Sequence, residues 1–196
     1  MTADTGTDAY AARLVALQGK GWKHRLRLID PYRWNVRRLC QGRVLDVGCG
    51  IGRNLAHLDG RGVGVDHNAE AVRVARERGL QAVLPGELAS AGVCPGDFDT
   101  MLVAHVLEHL DEADATTLMT DHLGWIRPGG KVVLLTPQER GQASDPTHVR
   151  FLDAAALADL CARTGLVVES SRSFPFPRWA GRWWIYNETV VVARRP

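Results

Sequence analysis

One nine-residue stretch narrows the possible folds more than the rest of the chain does. Val44-Leu45-Asp46-Val47 is a short apolar run holding a carboxylate, and Gly48, Gly50 and Gly52 follow at every second position. Twenty residues beyond Asp46, a second apolar run, Gly62-Val63-Gly64-Val65, ends in Asp66. A strand, a glycine turn, a helix and a second strand tipped by an acid make half of a parallel sheet with a nucleoside site at its edge. Glycines let backbone approach a ligand where a Cβ would collide. The second acid is placed to accept hydrogen bonds from both ribose hydroxyls.

The spacing sets this site apart from a dinucleotide one. A dinucleotide fingerprint reads G-x-G-x-x-G, and its third glycine would fall on Arg53. Here the order is G-x-G-x-G, with Asp46 two residues before the first glycine. A pyrophosphate needs an open helix N-terminus and is repelled by a nearby acid, whereas a cationic ligand is favoured by one.

Three further segments follow in order. They are Phe98-Asp99-Thr100-Met101-Leu102-Val103-Ala104-His105-Val106-Leu107-Glu108-His109, then Ile126-Arg127-Pro128-Gly129-Gly130-Lys131-Val132-Val133-Leu134-Leu135, and then Asp145-Pro146-Thr147-His148-Val149-Arg150-Phe151 with Thr164-Gly165-Leu166-Val167-Val168 after it. Together with the glycine turn, they resemble the ordered motifs of class I S-adenosylmethionine-dependent methyltransferases over roughly residues 40 to 195. The resemblance implies a doubly wound, seven-stranded, mostly parallel α/β sheet, the Rossmann-like methyltransferase fold, with an antiparallel C-terminal hairpin. It also implies S-adenosylmethionine as cofactor.

The pattern of apolar and breaker residues fits that architecture. Helical character covers residues 8 to 18 and 31 to 40, with Pro31 in a first turn. Strands are expected at 43 to 47, 62 to 65, 81 to 84, 100 to 103, 131 to 136, from 166 to 170, and 188 to 193. Helices are expected from Gly52 to Asp59, from Asn68 to Gly79, from Asp111 to Trp125 and from Leu152 to Arg163. Alternation of strands and helices means a parallel sheet. The proline-bearing connection 174–186 is too short for a helical crossover, so the last two strands are expected to be antiparallel.

At 196 residues, the expectation is one methyltransferase domain, with N-terminal helices over 1–40 and a catalytic core over 41–196. No apolar run reaches the 18 or so residues that span a bilayer, and Met1 to Tyr10 is polar. Cys40, Cys49, Cys94 and Cys161 have no metal-ligand spacing and are read as reduced thiols, which points to the cytoplasm. The net charge of +2 implies no partner by itself. A basic stretch, with Lys20, Lys23, Arg25, Arg27, Arg33, Arg37, Arg38 and Arg43 against Asp30, is read first as a solvated face, then as a rim for an acidic substrate, and last as one for RNA. No membrane partner is expected. The oligomeric state is open, with a homodimer one option.

Ligands of such sheets bind outside the carboxyl ends of the strands. The resemblance therefore puts Gly48, Cys49 and Gly50 against the methionine part of the cofactor and Asp66 on its ribose. Asp46 and Asn54 stand by the glycine turn and His67 by the ribose acid. Glu87 flanks the adenine, the Ala104 carbonyl takes the ammonium, and Arg33 is the candidate cation for the carboxylate. For Glu87 and Arg33, an ordinary surface charge explains the residue equally well.

Methyl transfer is an in-line displacement at an already activated carbon, so alignment does most of the work. A base is needed only where the acceptor arrives protonated. His148, His109 and His105 are the candidates, His148 first because its loop follows strand five; ordering that loop is its alternative role. Within 174–186, Phe174, Phe176, Trp179, Trp183, Trp184 and Tyr186 alternate with Arg178 and Arg182. Arg178, Trp179 and Trp183 are read as an acceptor wall suited to a planar or acidic small molecule, with a lid packed on its own core as the alternative. His105-Val106-Leu107-Glu108-His109 also spells H-x-x-E-H, a zinc pattern of inverted peptidases, and two histidines four apart on a helix could bind zinc. Its place just after a parallel strand argues against that, so no metal is expected. A small-metabolite methyltransferase is the favoured function. A non-catalytic cofactor-binding subunit, an RNA or protein methyltransferase, and an NAD-dependent oxidoreductase are the others.

Overall fold

The computed structural model describes residues 30–196; the expected helix over 8–18 and Lys20, Lys23, Arg25 and Arg27 lie outside them. The elements are α1 (Pro31–Leu39), β1 (Val44–Val47), α2 (Arg53–His57), β2 (Gly62–Val65), α3 (Ala69–Glu77), β3 (Ala82–Val83), β4 (Phe98–Ala104), α4 (Glu112–Leu123), β5 (Ile126–Pro137), α5 (Glu139–Gln142), α6 (Ala154–Arg163), β6 (Val167–Phe174) and β7 (Glu188–Arg194). The seven strands form one sheet in the order β3-β2-β1-β4-β5-β7-β6. The first five are parallel, and β7 enters between β5 and β6, antiparallel to both.

Alternation along the central strands explains why both faces are buried. Leu45, Val47, Met101, Val103, Val132, Leu134, Val191 and Ala193 enter one apolar cluster, with Met119 of α4 and Leu157 and Leu160 of α6. Val44, Leu102, Ala104, Val133, Leu135, Val190 and Val192 enter the other, against Val36 and Leu39 of α1. The helix starts are set by side-chain caps. Asp30 accepts from the Tyr32 and Arg33 amides, and Asn68, Asp111 and Asp153 each cap the helix that follows them.

Two local expectations change. The strand expected at Lys131 to Thr136 begins at Ile126, and the Pro-Gly-Gly turn lies inside it as an irregularity in the pairing with β4 between Phe98 and Thr100. Gly129, at φ +72°, makes the extra residues possible. The H-x-x-E-H segment is no α-helix. His105 closes β4 at φ +60°, and Leu107–His109 forms a single 3₁₀ turn, so His105 and His109 do not share a helical face. Among the described residues, no helix is long and apolar enough to cross a membrane.

Candidate active site

The carboxyl ends of β1, β2 and β4 converge on one cleft, enclosing about 150 Å³. Gly48, Gly50, Asp66 and His67 line one side of it, and His105, Val106, His109, Leu118 and His122 line the other. Gly48 and Gly50 have φ of +74° and +52°, a region costly for a residue with a Cβ. A Cβ on Gly48 would come within 2.2 Å of a Val106 methyl, so this position also sets how closely the two sides approach.

Asp66 locks the glycine turn. One of its oxygens accepts from the Gly50 amide at 2.7 Å and the other from the Asn68 amide at 2.9 Å. A carboxylate has about four acceptor positions, so capacity remains for two hydroxyls. His67 is exposed and lies 3.7 Å from Asp66. Cys49 contributes backbone alone: its side chain is buried behind the turn with Leu55, Val72 and Ala75, and burial pushes its thiol well above the usual range.

Asp46 has no exposed surface, and neither carboxylate oxygen has a hydrogen-bond partner. Burial raises its pKa to about 7; Asn54 and Arg53 beside it pull the value down, and Asp66 pushes it up. A buried acid left without a partner directly behind the ligand turn is a poor choice for stability and a suitable one for attracting a cation.

His105 proves to be a cation clamp, which removes it from the candidate bases. Its Nε2 is 2.7 Å from Glu188 and its Nδ1 is 3.3 Å from Glu108. Burial alone would lower its pKa, but the two carboxylates outweigh it and raise the value to about 10. Burial is the largest single effect on the ring, and it is outweighed only because both carboxylates act together, each through a close contact and its charge. An imidazolium with both nitrogens engaged accepts no proton at neutral pH. Its left-handed backbone is strain placed at a strand tip, where it aims the side chain between the two acids.

The other two histidines come together. The rings of His109 and His148 lie 4.8 Å apart, though their residues belong to different loops. Nδ1 of His109 faces the Thr147 carbonyl at 3.1 Å, and Nδ1 of His148 faces the Gln142 carbonyl at 3.0 Å. A carbonyl only accepts, so each Nδ1 carries a proton, and in the neutral ring the lone pair is on Nε2. Between β4 and this pair sits Glu108, fully buried.

Several expected site residues have other employment. Arg33 lies 3.6 Å from Asp59 in the first turn of α1 and is not among the residues lining the cleft. Glu87 accepts from the Leu84 amide and pairs with Arg76 at 3.2 Å, ordering the turn after β3. Arg178 is held by Glu139 through two contacts of 2.6 and 2.5 Å. Trp179 and Trp183 are 69% and 81% exposed and form no wall around the cleft. What anchors their loop is Asn187, buried and bonded to Gln138, Ser173 and the Phe176 amide. Tyr32 of α1 donates to the Tyr186 carbonyl. Ala104 sits at the tip of β4, paired with Leu135. His122, Leu118 and Pro85, which also line the cleft, carry no motif in the sequence.

A family described as the methyltransferase domain matches residues 22–171. The chain belongs to the class I S-adenosylmethionine-dependent methyltransferases. Among solved structures, a protein studied for the conversion of a disulfide bond into a thioacetal group during echinomycin biosynthesis is 26% identical, with a TM-score of 0.64, over 84% of this chain and 81% of that one. An Archaeoglobus fulgidus SAM-dependent methyltransferase is 16% identical, with a TM-score of 0.68, over 94% and 99%. Geranyl diphosphate C-methyltransferase from Streptomyces coelicolor A3(2) is 14% identical, with a TM-score of 0.65, over 100% and 85%. A comparison with curated protein sequences finds no match. The family accounts for the glycine turn and for a sheet whose last strand runs backward.

Proposed function

We propose that this methyltransferase moves the methyl group of S-adenosylmethionine to a small-molecule acceptor seated between the glycine turn and the His109–His148 pair. The observation that carries this reading is the shared cleft. Gly48, Gly50 and Asp66, which suit the donor, line the same space as His109. Asp66 takes the ribose hydroxyls. The Gly48 and Gly50 backbone lies along the methionine portion, and Asp46 supplies negative potential for the ammonium and sulfonium. The cleft is smaller than the roughly 300–1,000 Å³ of pockets that engulf a drug-sized ligand, so the adenine lies along the open sheet edge toward Pro85. The acceptor's nucleophile approaches from the side of β4 and β5, in line with the sulfur–carbon bond. Holding the two in register is worth up to about 7–11 kcal/mol in the best intramolecular cases. The basic nitrogens at that side are Nε2 of His109 and His148.

The test is a transfer assay with methyl-labelled S-adenosylmethionine and a cell extract split by size. Label appearing in the low-molecular-weight fraction supports the reading. Label confined to protein or RNA overturns the small-molecule acceptor, and S-adenosylhomocysteine binding without any transfer favours a non-catalytic subunit.

A further inference from the structure

Glu108, His109 and His148 form a cluster beside the cleft. One ring nitrogen of each histidine and one oxygen of Glu108 lie within 4.8 Å of one another. Glu108 is fully buried, and neither of its oxygens makes a hydrogen bond. Its nearest charged neighbour is Nδ1 of His105, at 3.3 Å. That pairing engages Oε1 and leaves Oε2 buried with no partner, which is costly unless a further ligand such as a metal takes it. Each of the two imidazoles donates Nδ1–H to a backbone carbonyl and leaves Nε2 bare. That outer hydrogen bond is how metal-binding histidines are commonly held and oriented. Thr147 adds its hydroxyl beside Nδ1 of His109 and is itself bonded to Asp145, so the His109 side of the cluster is braced.

We infer that Glu108, His109 and His148 bind a divalent transition-metal cation of the manganese, iron or zinc type, whose open positions take an oxygen of the methyl acceptor. Two imidazoles and one carboxylate make a three-ligand set that leaves positions free, and the imidazoles disfavour magnesium and calcium. Bonds of about 2.0–2.2 Å draw such ligands to about 3.0–3.5 Å apart. The most widely spaced ligand atoms therefore close by about 1.3–1.8 Å, within reach of rotamer changes. The H-x-x-E-H spelling suggests His105 and His109 as the metal pair, and the fold replaces one of them. Glu188 occupies His105, which instead steadies Glu108 from behind, and His148 takes its place from 39 residues beyond His109.

This inference rests on the methyl-transfer reading and narrows its acceptor to a hydroxyl-bearing molecule, best one with a second oxygen alongside to chelate. His109 lines the donor cleft, so a cation on it stands beside the methyl group's path. Coordination lowers the pKa of the hydroxyl, and its proton passes to solvent. An oxygen electron pair then attacks the methyl carbon as the carbon–sulfur bond breaks, its pair returning to sulfur. A methyl ether and a neutral thioether result, and the cation's oxidation state does not change.

The experiment uses the full chain, free of any affinity tag and stripped with a chelator, titrated calorimetrically with Mn²⁺ and Zn²⁺ separately. One saturable site for either ion is expected. Its affinity should fall by roughly tenfold or more in Glu108→Gln and in His148→Ala, since losing a direct ligand costs at least what losing an outer partner does. S-adenosylhomocysteine affinity, measured on the same samples, should stay within about twofold. No saturable binding of either ion overturns the inference, and so does binding at unchanged affinity in both variants. If Glu108→Gln fails to fold, His148→Ala, altering a half-buried loop residue, decides alone. A wild-type chain that binds the cation but not S-adenosylhomocysteine defeats the cofactor assignment and leaves the metal site standing.

Discussion

The two sides of the cleft are built by different means. The donor side is mostly backbone: a glycine turn held by one carboxylate, all within 48–68 of the chain. The opposite side, where the acceptor is proposed to sit, consists of side chains from loops after β4 and β5, joined by contacts such as His109 with His148 that span 39 positions. A backbone site tolerates little change at its glycines and its locking acid. A side-chain site can be rebuilt residue by residue while the fold stands, which is how one architecture hosts many acceptors.

Substitutions that strike one side alone test this contrast. The largest effect should come from Asp66→Ala, which removes the partner of the Gly50 amide and, on the proposed reading, two hydrogen bonds to the ribose. At about 1.5–3 kcal/mol for each bond to a charged group, S-adenosylhomocysteine affinity should fall about 100-fold or more by calorimetry. A loss under threefold would mean that the turn binds without its acid.

Asp46→Asn comes next and should act in two directions. Because burial raises the acid's pKa to about 7, the folded state gains from the protonated form at low pH and loses that gain as pH rises through about 7. The ligand-free variant should therefore be more stable than wild type at pH 8, by about 4 kcal/mol at most, with the difference gone near pH 4. S-adenosylmethionine should bind it roughly tenfold more weakly. Thermal unfolding across pH checks the first effect and calorimetry the second. Equal stability at pH 8 would show that Asp46 finds a partner in solution.

A smaller change is expected from Glu188→Gln, which loosens the His105 clamp. The pair's contribution is fully present below the ordinary histidine range and lost only as pH rises through about 10. At pH 7, the variant should lose about 1–3 kcal/mol of stability, with S-adenosylhomocysteine affinity nearly unchanged. Chemical denaturation at pH 7 reads this, and no loss would deny the clamp a structural role.

Arg178→Ala should do least. Its ion pair with Glu139 is exposed, and such pairs contribute about 0–1 kcal/mol. Cofactor affinity should be unaltered. A tenfold fall in turnover would return the loop 174–186 to the acceptor site.

Much of the molecule was written in local sequence. The glycine turn with Asp46 and Asp66, the order of strands and helices, the capping acids and the backward last strand all follow from spacing and apolar period. Hydrogen bonds and burial that depend on neighbours in the chain leave a signature there. Pairings across loops leave none. Nothing in the spacing shows that Glu188 claims His105, that Glu139 claims Arg178, or that His148 arrives beside His109 and Glu108. Even the H-x-x-E-H pattern misleads, because the left-handed turn at His105 breaks the helix it presupposes. The donor site is a property of consecutive residues and could be read in one dimension. The cluster of Glu108, His109 and His148 arises only when the sheet brings its loop ends together, and tertiary packing decided it.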